Sequence, residues 1–192
     1  MPAPGRDASD PSGVIAAAVG ARIRELRQAR GASLATLAAS TGLGKGTLSE
    51  LERGQRNPTL DTLFAIATQL GVPLGTLIAE DRFPHSEHAS ARAVGQSIDG
   101  SLIDRWTGES GLVEVYRLTI SQETRTSRPH AAGVSETLTL IEGAIEVGEV
   151  GKTVELRAME SHSFAGDRAH LYRGVAIRSI AILAMRYPVP GA

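Results

Sequence analysis

Residues 33–58 read SLATLAASTGLGKGTLSELERGQRNP, and this stretch decides the fold of the N-terminal half of the chain. Ser33 is a favourable N-cap, and apolar residues recur after it at helical spacing, so a short helix is predicted over Ser33–Ser40. Gly42 can then adopt the positive φ of a helix C-cap. A second helix is predicted over Gly44–Arg53. The stretch therefore predicts two short helices joined by a tight turn.

Two short helices joined by a glycine-containing turn form the helix-turn-helix motif, whose second helix lies in the major groove of DNA. The alternative is an ordinary helical bundle with a glycine in one turn, because leucines at helical spacing are common. The ordered set of turn and cap residues favours the motif. We therefore predict a DNA-reading unit.

The next residues extend the pattern, since 48–78 read LSELERGQRNPTLDTLFAIATQLGVPLGTLI. Over about residues 14–78 the chain resembles the XRE, or lambda-repressor-like, family of helix-turn-helix domains. The resemblance implies a five-helix fold and a DNA-binding transcriptional regulator. The groups in family register are Leu48-Ser49, Glu52-Arg53-Gly54, Asn57-Pro58 and Leu70-Gly71-Val72.

The formal net charge of −1 is low for a nucleic-acid-binding protein, but the charges are distributed unevenly along the chain. Residues 22–56 hold seven basic against three acidic residues, whereas from Asp81 onward there are twelve basic against fourteen acidic residues. Positive charge is therefore concentrated in the predicted DNA-binding segment. Four arginines lie in the first predicted helix, Ser12–Arg30. For each of them, a position on a solvent-exposed helix face is as plausible as a role in attracting phosphate. They are Arg22, Arg24, Arg27 and Arg30.

Base reading is expected from the start of the second predicted helix. Lys45 suits guanine acceptors, Glu50 suits a cytosine amino group, and Thr47 suits a thymine methyl or a phosphate. Gly46 has no side chain to read with and would let the backbone approach the DNA. Phosphate contacts, which position the domain, are predicted for a second set. That set is Ser33, Arg53, Gln55, Arg56 and Asn57, of which Ser33 is also explained by capping alone.

The chain contains no cysteine, which excludes disulfides, thiolate catalysis and Cys-ligated zinc. No apolar run is long enough to span a bilayer and the N-terminus does not resemble a signal peptide, so we predict a cytoplasmic protein. Residues 1–11 are predicted to be a disordered tail and residues 81–97 a linker. In the linker, His85 and His88 could share a metal, but a solvated pair is favoured because no third ligand is near.

Beyond the linker the apolar periodicity changes to two, which indicates strands. Many short strands without helical pattern between them are typical of an antiparallel sandwich or barrel. The single tryptophan, Trp106, is expected to have a packing role. The predicted strands are Leu112–Ile120, Glu136–Ile141, Ala144–Val147, Thr153–Leu156, His170–Arg173 and Ala176–Arg186.

Two segments of this half, residues 130–136 and 164–170, with Gly143 at a hairpin turn between them, resemble the two motifs of the cupin family. The resemblance covers roughly residues 112–187 and implies a small jelly-roll barrel whose interior histidines and glutamate hold a divalent metal.

The resemblance matches His130 to the first metal histidine, Glu136 to the glutamate and His170 to the last histidine. Ala132 stands where a second histidine is expected, and His162 could substitute for it. Two histidines and one carboxylate suit zinc, iron or manganese. Alternatively, these groups hydrogen-bond to one another or to an organic ligand. The candidate residues of the effector pocket or metal site are His130, Glu136, His170 and His162.

The predicted fold class is therefore a multidomain α and β protein. An N-terminal five-helix lambda-repressor-like helix-turn-helix domain is expected at 12–80. A C-terminal all-β cupin jelly-roll barrel is expected at 98–192, as a sensor and dimerisation domain.

The predicted function is a sequence-specific transcriptional regulator, expected to be a repressor. Its partners would be double-stranded DNA with a roughly palindromic operator, a small-molecule effector and a second copy of the chain, with no membrane. No catalytic residue is predicted. Two alternatives stay open: a cupin-type metal-dependent oxygenase or isomerase with an appended DNA-binding domain, and a cupin that only dimerises.

Overall fold

The structure is a computed structural model and describes residues 11–78, 92–93 and 97–189. His85 and His88 lie outside the described residues, as do most of the predicted tail and linker and the predicted domain boundary after residue 80. Within the described part of the chain, no helix is both long and apolar enough to cross a membrane. The chain divides into two compact units, Met1–Pro58 and Thr59–Ala192.

The first unit contains three helices: α1 (Pro11–Ala29), α2 (Leu34–Thr41) and α3 (Lys45–Glu52). The predicted caps of α2 are confirmed. The Ser33 hydroxyl accepts a hydrogen bond from the Thr36 N–H at 3.0 Å, and Gly42 ends the helix in the left-handed region with φ 72°. Local cap chemistry therefore determines the bounds of this helix.

Helices α1 and α3 approach each other almost backbone to backbone. A Cβ added to Gly20 in α1 would lie 2.1 Å from the carbonyl oxygen of Leu51 in α3. Gly54, which follows α3 with φ +68°, would place a Cβ 2.6 Å from the Cα of Ala17. Neither contact involves a flexible side chain, so only glycine fits at these two positions.

A largely buried ion pair joins the same two helices. Arg27 donates to both carboxylate oxygens of Glu52, at 2.6 and 2.9 Å, and to the carbonyl oxygen of Ala32 at 2.8 Å. The side chains are only 12% and 7% exposed, and the bond to Glu52 raises the pKa of Arg27. Arg27 was predicted either to attract phosphate or to be solvated, and the structure instead gives it a structural role.

The second unit begins with α4 (Leu60–Gln69), capped by the Thr59 hydroxyl, and α5 (Gly75–Ile78). With α1 to α3 they complete the predicted five helices. Ten strands follow: β1 (Arg92–Ala93), β2 (Ile98–Gly108), β3 (Gly111–Ser121), β4 (Thr124–Ser127), β5 (Ser135–Glu142), β6 (Ala144–Glu149), β7 (Val154–Arg157), β8 (Ser161–Ala165), β9 (His170–Gly174) and β10 (Arg178–Tyr187).

The strands form two antiparallel sheets, in the orders β1-β2-β3-β10-β5-β8 and β4-β9-β6-β7. Alternate residues of β5 and β10 are buried, as expected for strands with one face on a core. The fully buried side chains include Tyr116, Ile120, Leu138 and Tyr172. The predicted all-β domain is therefore confirmed.

All six predicted strands are present, but β1, β2, β4 and β8 were not predicted. Strand β1 pairs with β2 only at Gly100 and Ser101. Residues 103–108 of β2 are exposed, so this part of the strand has no apolar alternation. Trp106, which was expected to have a packing role, is 49% exposed there. Strand alternation is visible in a sequence only where one face of the strand is buried.

Two polar contacts tie α4 and α5 to the strands. The buried Glu114 carboxylate on β3 accepts from the Gly75 N–H at 3.0 and 3.1 Å, and Arg125 on β4 pairs with Asp61 of α4. Since an unsatisfied buried carboxylate is costly, the Glu114 contact fixes the first residue of α5.

The approach of α1 to α3 makes a prediction about stability. Gly20→Ala should lower the free energy of unfolding by about 1–3 kcal/mol, because no rotamer change relieves a clash with backbone oxygen. Gly46→Ala is the matched control: its Cβ would meet nothing within 4 Å, so it should leave stability unchanged or raise it by up to about 1 kcal/mol. Urea denaturation followed by circular dichroism measures both. A Gly20→Ala protein as stable as wild type would contradict the close approach.

Candidate functional site

The candidate nucleic-acid interface is the start of α3. Lys45, Gly46 and Glu50 are exposed and Thr47 is half-buried, whereas Leu48 and other apolar residues of the helix face inward. The four predicted base-contacting residues therefore lie on the outer side of one short helix. Their assignment to bases stays a prediction.

The predicted phosphate contacts follow α3 in one exposed loop. Arg53, Gln55, Arg56 and Asn57 are all exposed. An ion pair of 3.5 Å joins Arg56 to Glu50, and both side chains are about half exposed. Such a surface pair contributes little free energy, so DNA can replace it. Ser33 is also exposed, but its hydroxyl already caps α2, as the capping interpretation required.

A second candidate site lies in the barrel, where His130, Glu136 and His170 meet. Their ligand atoms all lie within 4.8 Å of one another. His130 Nε2 is 2.9 Å from Glu136 Oε1, and His170 Nε2 is 3.3 Å from the same oxygen. The Glu136 and His170 side chains are fully buried. Three residues that were selected by resemblance thus form one cluster.

Chain elements explain how these side chains converge. His130 lies in the loop before β5, and its N–H donates to the Gly166 carbonyl at 2.9 Å, next to the end of β8. Glu136 is on the buried face of β5, and His170 begins β9. A Cβ at Gly166 would lie 3.0 Å from Glu136 Oε1, so glycine at this position leaves room for the carboxylate.

The tautomer of His170 follows from its hydrogen bond. His170 Nδ1 is 2.8 Å from the Arg168 carbonyl oxygen, which can only accept, so Nδ1 carries the proton. Burial lowers the pKa of His170 and outweighs the opposing effect of Glu136, so the neutral ring is favoured. The lone pair of Nε2 then faces a carboxylate oxygen, and Nε2 has no hydrogen-bond partner among the described residues.

The Glu136 carboxylate is the charged member of the cluster. Burial alone would raise the pKa of this carboxyl, but the bond from His130, the neighbouring imidazoles and the Tyr172 hydroxyl hold its pKa below the usual value. Tyr172 donates to Glu136 Oε2, and burial next to this carboxylate raises the pKa of Tyr172 well above its ordinary value. Glu136 is therefore an anion at neutral pH.

The donor set fits a divalent cation. Two acceptors, His170 Nε2 and Glu136 Oε1, face each other, and a cation between them would satisfy both. The Nδ1 bond of His170 to a backbone carbonyl is the orientation that metal-bound histidines usually have. His130, Glu136 and His170 supply the two imidazoles and the carboxylate that borderline metals prefer.

Two other predicted positions do not join the cluster. His162, proposed as a substitute ligand, lies on β8 and its ring stacks on Phe164 at 5.8 Å between centroids. Among the described residues the cluster contains only His130, Glu136 and His170. Ala132 is exposed in the loop after His130.

Two residues near the cluster were not identified from the sequence. Phe64 of α4 lies against His130, with ring centroids 5.0 Å apart. The Arg125 guanidinium covers both the Phe64 and Tyr172 rings, at 5.2 and 5.8 Å. In the sequence Phe64 is one apolar residue among several at helical spacing, and β4, which carries Arg125, had not been predicted.

Glu114 was also missed, although the sequence contained a signal. In the predicted strand it shares the apolar face of Tyr116, Leu118 and Ile120, where a carboxylate is unusual. In the structure Glu114 also accepts from the Tyr116 hydroxyl at 2.5 Å and lies 3.6 Å from Arg105. A charged residue in register with a buried strand face indicates a specific partner elsewhere in the fold.

Comparison with known proteins agrees with this organisation. Residues 23–77 match the Helix-turn-helix family HTH_3. The chain is 34% identical over 156 residues to the HTH-type transcriptional regulator SutR of Escherichia coli K12, covering 79% of this chain and 84% of that protein. These matches concern both the helical and the strand-forming parts.

Solved structures give the same result. A crystal structure of an HTH_3 family transcriptional regulator from Vibrio cholerae superposes with a TM-score of 0.77 at 27% identity, over 93% of this chain and 99% of that one. The cupin domain of an XRE family regulator from Enterobacter cloacae matches 49% of this chain and all of its own length, at 24% identity and a TM-score of 0.44. The chain belongs to the XRE family of helix-turn-helix transcriptional regulators, and its C-terminal part is a β domain of two antiparallel sheets.

Proposed function

We propose that this regulator binds a palindromic operator as a homodimer and that a small-molecule effector, bound at the barrel, controls its affinity for DNA. The observation that carries the proposal is the contact of Phe64 with His130. Phe64 belongs to the segment matched by the helix-turn-helix family, and His130 belongs to the buried cluster. One pair of rings thus joins the DNA-binding family segment to the candidate effector site.

The mechanism requires two states of the protein with different affinities for the effector. A ligand shifts an equilibrium only by its differential affinity for the two states. Here the ligand would change how Phe64 and α4 sit against His130, and DNA affinity would change in consequence. We propose repression as the default action and the cytoplasm as the location, as the sequence predicted.

A bound divalent cation would add a positive charge to the cluster. His130, Glu136 and His170 would hold it, and as a Lewis acid it would attract a neutral carbonyl oxygen of an effector. The facing acceptors of His170 and Glu136 favour this addition. The relatives are named as transcriptional regulators, which supports regulation over the oxygenase or isomerase alternative.

The division of labour in α3 and its loop predicts two kinds of DNA-binding defect. A duplex selected from a random pool by wild-type protein and a scrambled duplex serve as probes. Lys45→Ala should lose about 1–3 kcal/mol on the selected duplex only, because a base contact carries the sequence preference. Arg56→Ala should weaken both duplexes alike and reduce the salt slope by about one.

Fluorescence anisotropy over a range of salt concentrations measures both effects. Two variants that lose affinity equally on every duplex would contradict the assignment. Failure of the wild type to select any sequence would contradict the proposed function itself.

The cluster predicts metal binding. Purified, chelator-treated protein titrated with Zn²⁺ or Co²⁺ should take up one ion per chain. His170→Ala should weaken binding by at least about a hundredfold, since even outer-shell partners of ligands change affinity tenfold to a hundredfold. His162→Ala is the control and should bind as wild type. Calorimetry and the visible spectrum of Co²⁺ report the result, and equal binding by the His170 variant would remove the cluster as a metal site.

The proposed dimer predicts a sensitive surface on β2. Ile103 and Trp106 are 54% and 49% exposed on this strand, and exposed apolar groups of this kind favour association. Trp106→Glu should shift the chain toward monomer in sedimentation velocity runs, because a buried, unpaired carboxylate would oppose association. Ile177→Glu is the control, since Ile177 is 84% exposed in the loop between β9 and β10. If Trp106→Glu leaves the dimer intact and Ile177→Glu disrupts it, this surface is not the dimer interface.

A further inference from the structure

A cavity of about 460 Å³ lies within the second unit, between the turn that joins α4 to α5 and one end of the barrel. Its volume is in the range of sites that bind drug-sized molecules. Phe64 and Ala67 line it from α4, and Leu74 lines it from the turn before α5. Leu112, Val134 and Pro188 line it from the strands and loops.

The cavity lining selects against charge. No described residue that lines it is an arginine, lysine, aspartate or glutamate, and the polar side chains are His130, Thr68, Thr107 and Tyr187. The Tyr187 hydroxyl is already engaged by the Leu74 N–H at 3.4 Å. A charged ligand would lose its hydration without gaining a counterion, whereas an apolar one would gain by burial.

Small residues leave room on the barrel side. Ala131 and Ala132 line the cavity directly after His130. Ala132 is the position at which the cupin resemblance expects a second metal histidine. The alanine therefore places apolar wall beside His130 at a position where the resemblance expects a polar ligand.

The helical wall of the cavity is anchored on both sides. Asp61, one turn before Phe64, pairs with Arg125, and Gly75, directly after Leu74, is held by Glu114. A Cβ at Gly75 would lie 2.4 Å from Glu114 Oε1, so the second anchor requires glycine. A ligand in the cavity would thus contact a helical segment that is fixed at Asp61 and at Gly75.

We propose that this cavity binds a neutral, mainly apolar small molecule, and that this molecule is the effector. The second clause rests on the proposed function. Phe64 and His130 both line the cavity and contact each other, so the same ligand touches the helix-turn-helix family segment and the buried cluster.

The test uses a pair of fluorescent probes that differ by one charge. N-phenyl-1-naphthylamine is neutral, and 8-anilinonaphthalene-1-sulfonate has the same skeleton with an added sulfonate. The full chain should bind the neutral probe saturably with one site per chain, and the anionic probe at least about tenfold more weakly, because the lining offers no counterion.

Two variants fill the cavity from opposite walls. Ala132→Phe acts from the loop and Thr68→Phe from α4, and each should weaken binding of the neutral probe by about tenfold or more, because each occupies ligand volume. Their controls are Ala169→Phe, in an exposed turn, and Gln69→Phe, the next residue of α4, neither of which lines the cavity. Thermal unfolding of each variant without probe verifies that it is folded.

Three results would overturn the site: no saturable binding of the neutral probe, equal binding of the anionic one, or equal losses in the variants and their controls. For the effector clause, the neutral probe should change the affinity of wild type for its selected duplex and leave Ala132→Phe unaffected. Probe binding without any change in DNA affinity would overturn that clause.

Failures of the two proposals are distinguishable. A wild type that selects DNA but binds no probe disproves the cavity site alone. A protein that binds the probe but selects no DNA disproves the proposed function alone.

Discussion

Two carboxylates buried in the barrel, Glu114 and Glu136, impose the constraint on which much of the second unit depends. A carboxylate removed from water must obtain hydrogen bonds or an opposite charge from the protein, or its burial costs several kcal/mol. Both glutamates are fully buried. Each receives a bond from a tyrosine hydroxyl, Tyr116 or Tyr172, and their remaining partners come from other segments of the chain.

The two glutamates solve this problem differently, and the difference separates structure from function. A backbone N–H and a tyrosine hydroxyl donate hydrogen bonds to Glu114. The role of Glu114 is therefore to hold α5 in place. Glu136 shares one oxygen between two imidazoles, and His170 offers that oxygen a lone pair rather than a proton. A cation or a ligand group would complete an arrangement of this kind, which supports the proposal that Glu136 is the functional carboxylate.

Sequence reasoning succeeded wherever the governing chemistry was local. Ser33 and Gly42 determine the bounds of α2 through bonds within a few residues, and β5 and β10 alternate because one face of each is buried. It failed where the cause was a distant partner. Nothing near Gly20 indicates the Leu51 carbonyl, and nothing near Arg27 distinguishes a partner in α3 from a phosphate.

The candidate site shows the same division. His130, Glu136 and His170 could be selected because the cupin resemblance supplies their spacing, and the structure brings them together. Phe64 could not be selected, because a phenylalanine on the apolar face of a helix has the same sequence signature whether it fills a core or covers a histidine. Only the tertiary structure distinguishes these two roles.

The position of Phe64 also determines how the two parts of the barrel site influence each other. Its ring lines the cavity and lies against His130, whose Nε2 is 2.9 Å from Glu136 Oε1. A ligand that moves this ring changes the surroundings of the cluster, and a cation that reorients His130 changes the cavity wall. Coupling between two binding events is reciprocal, so whichever of them the cell uses as a signal, the other must alter its strength. Under these two proposals the regulator would respond to the combination of cation and apolar molecule, because Phe64 and His130 cannot be arranged for one without consequence for the other.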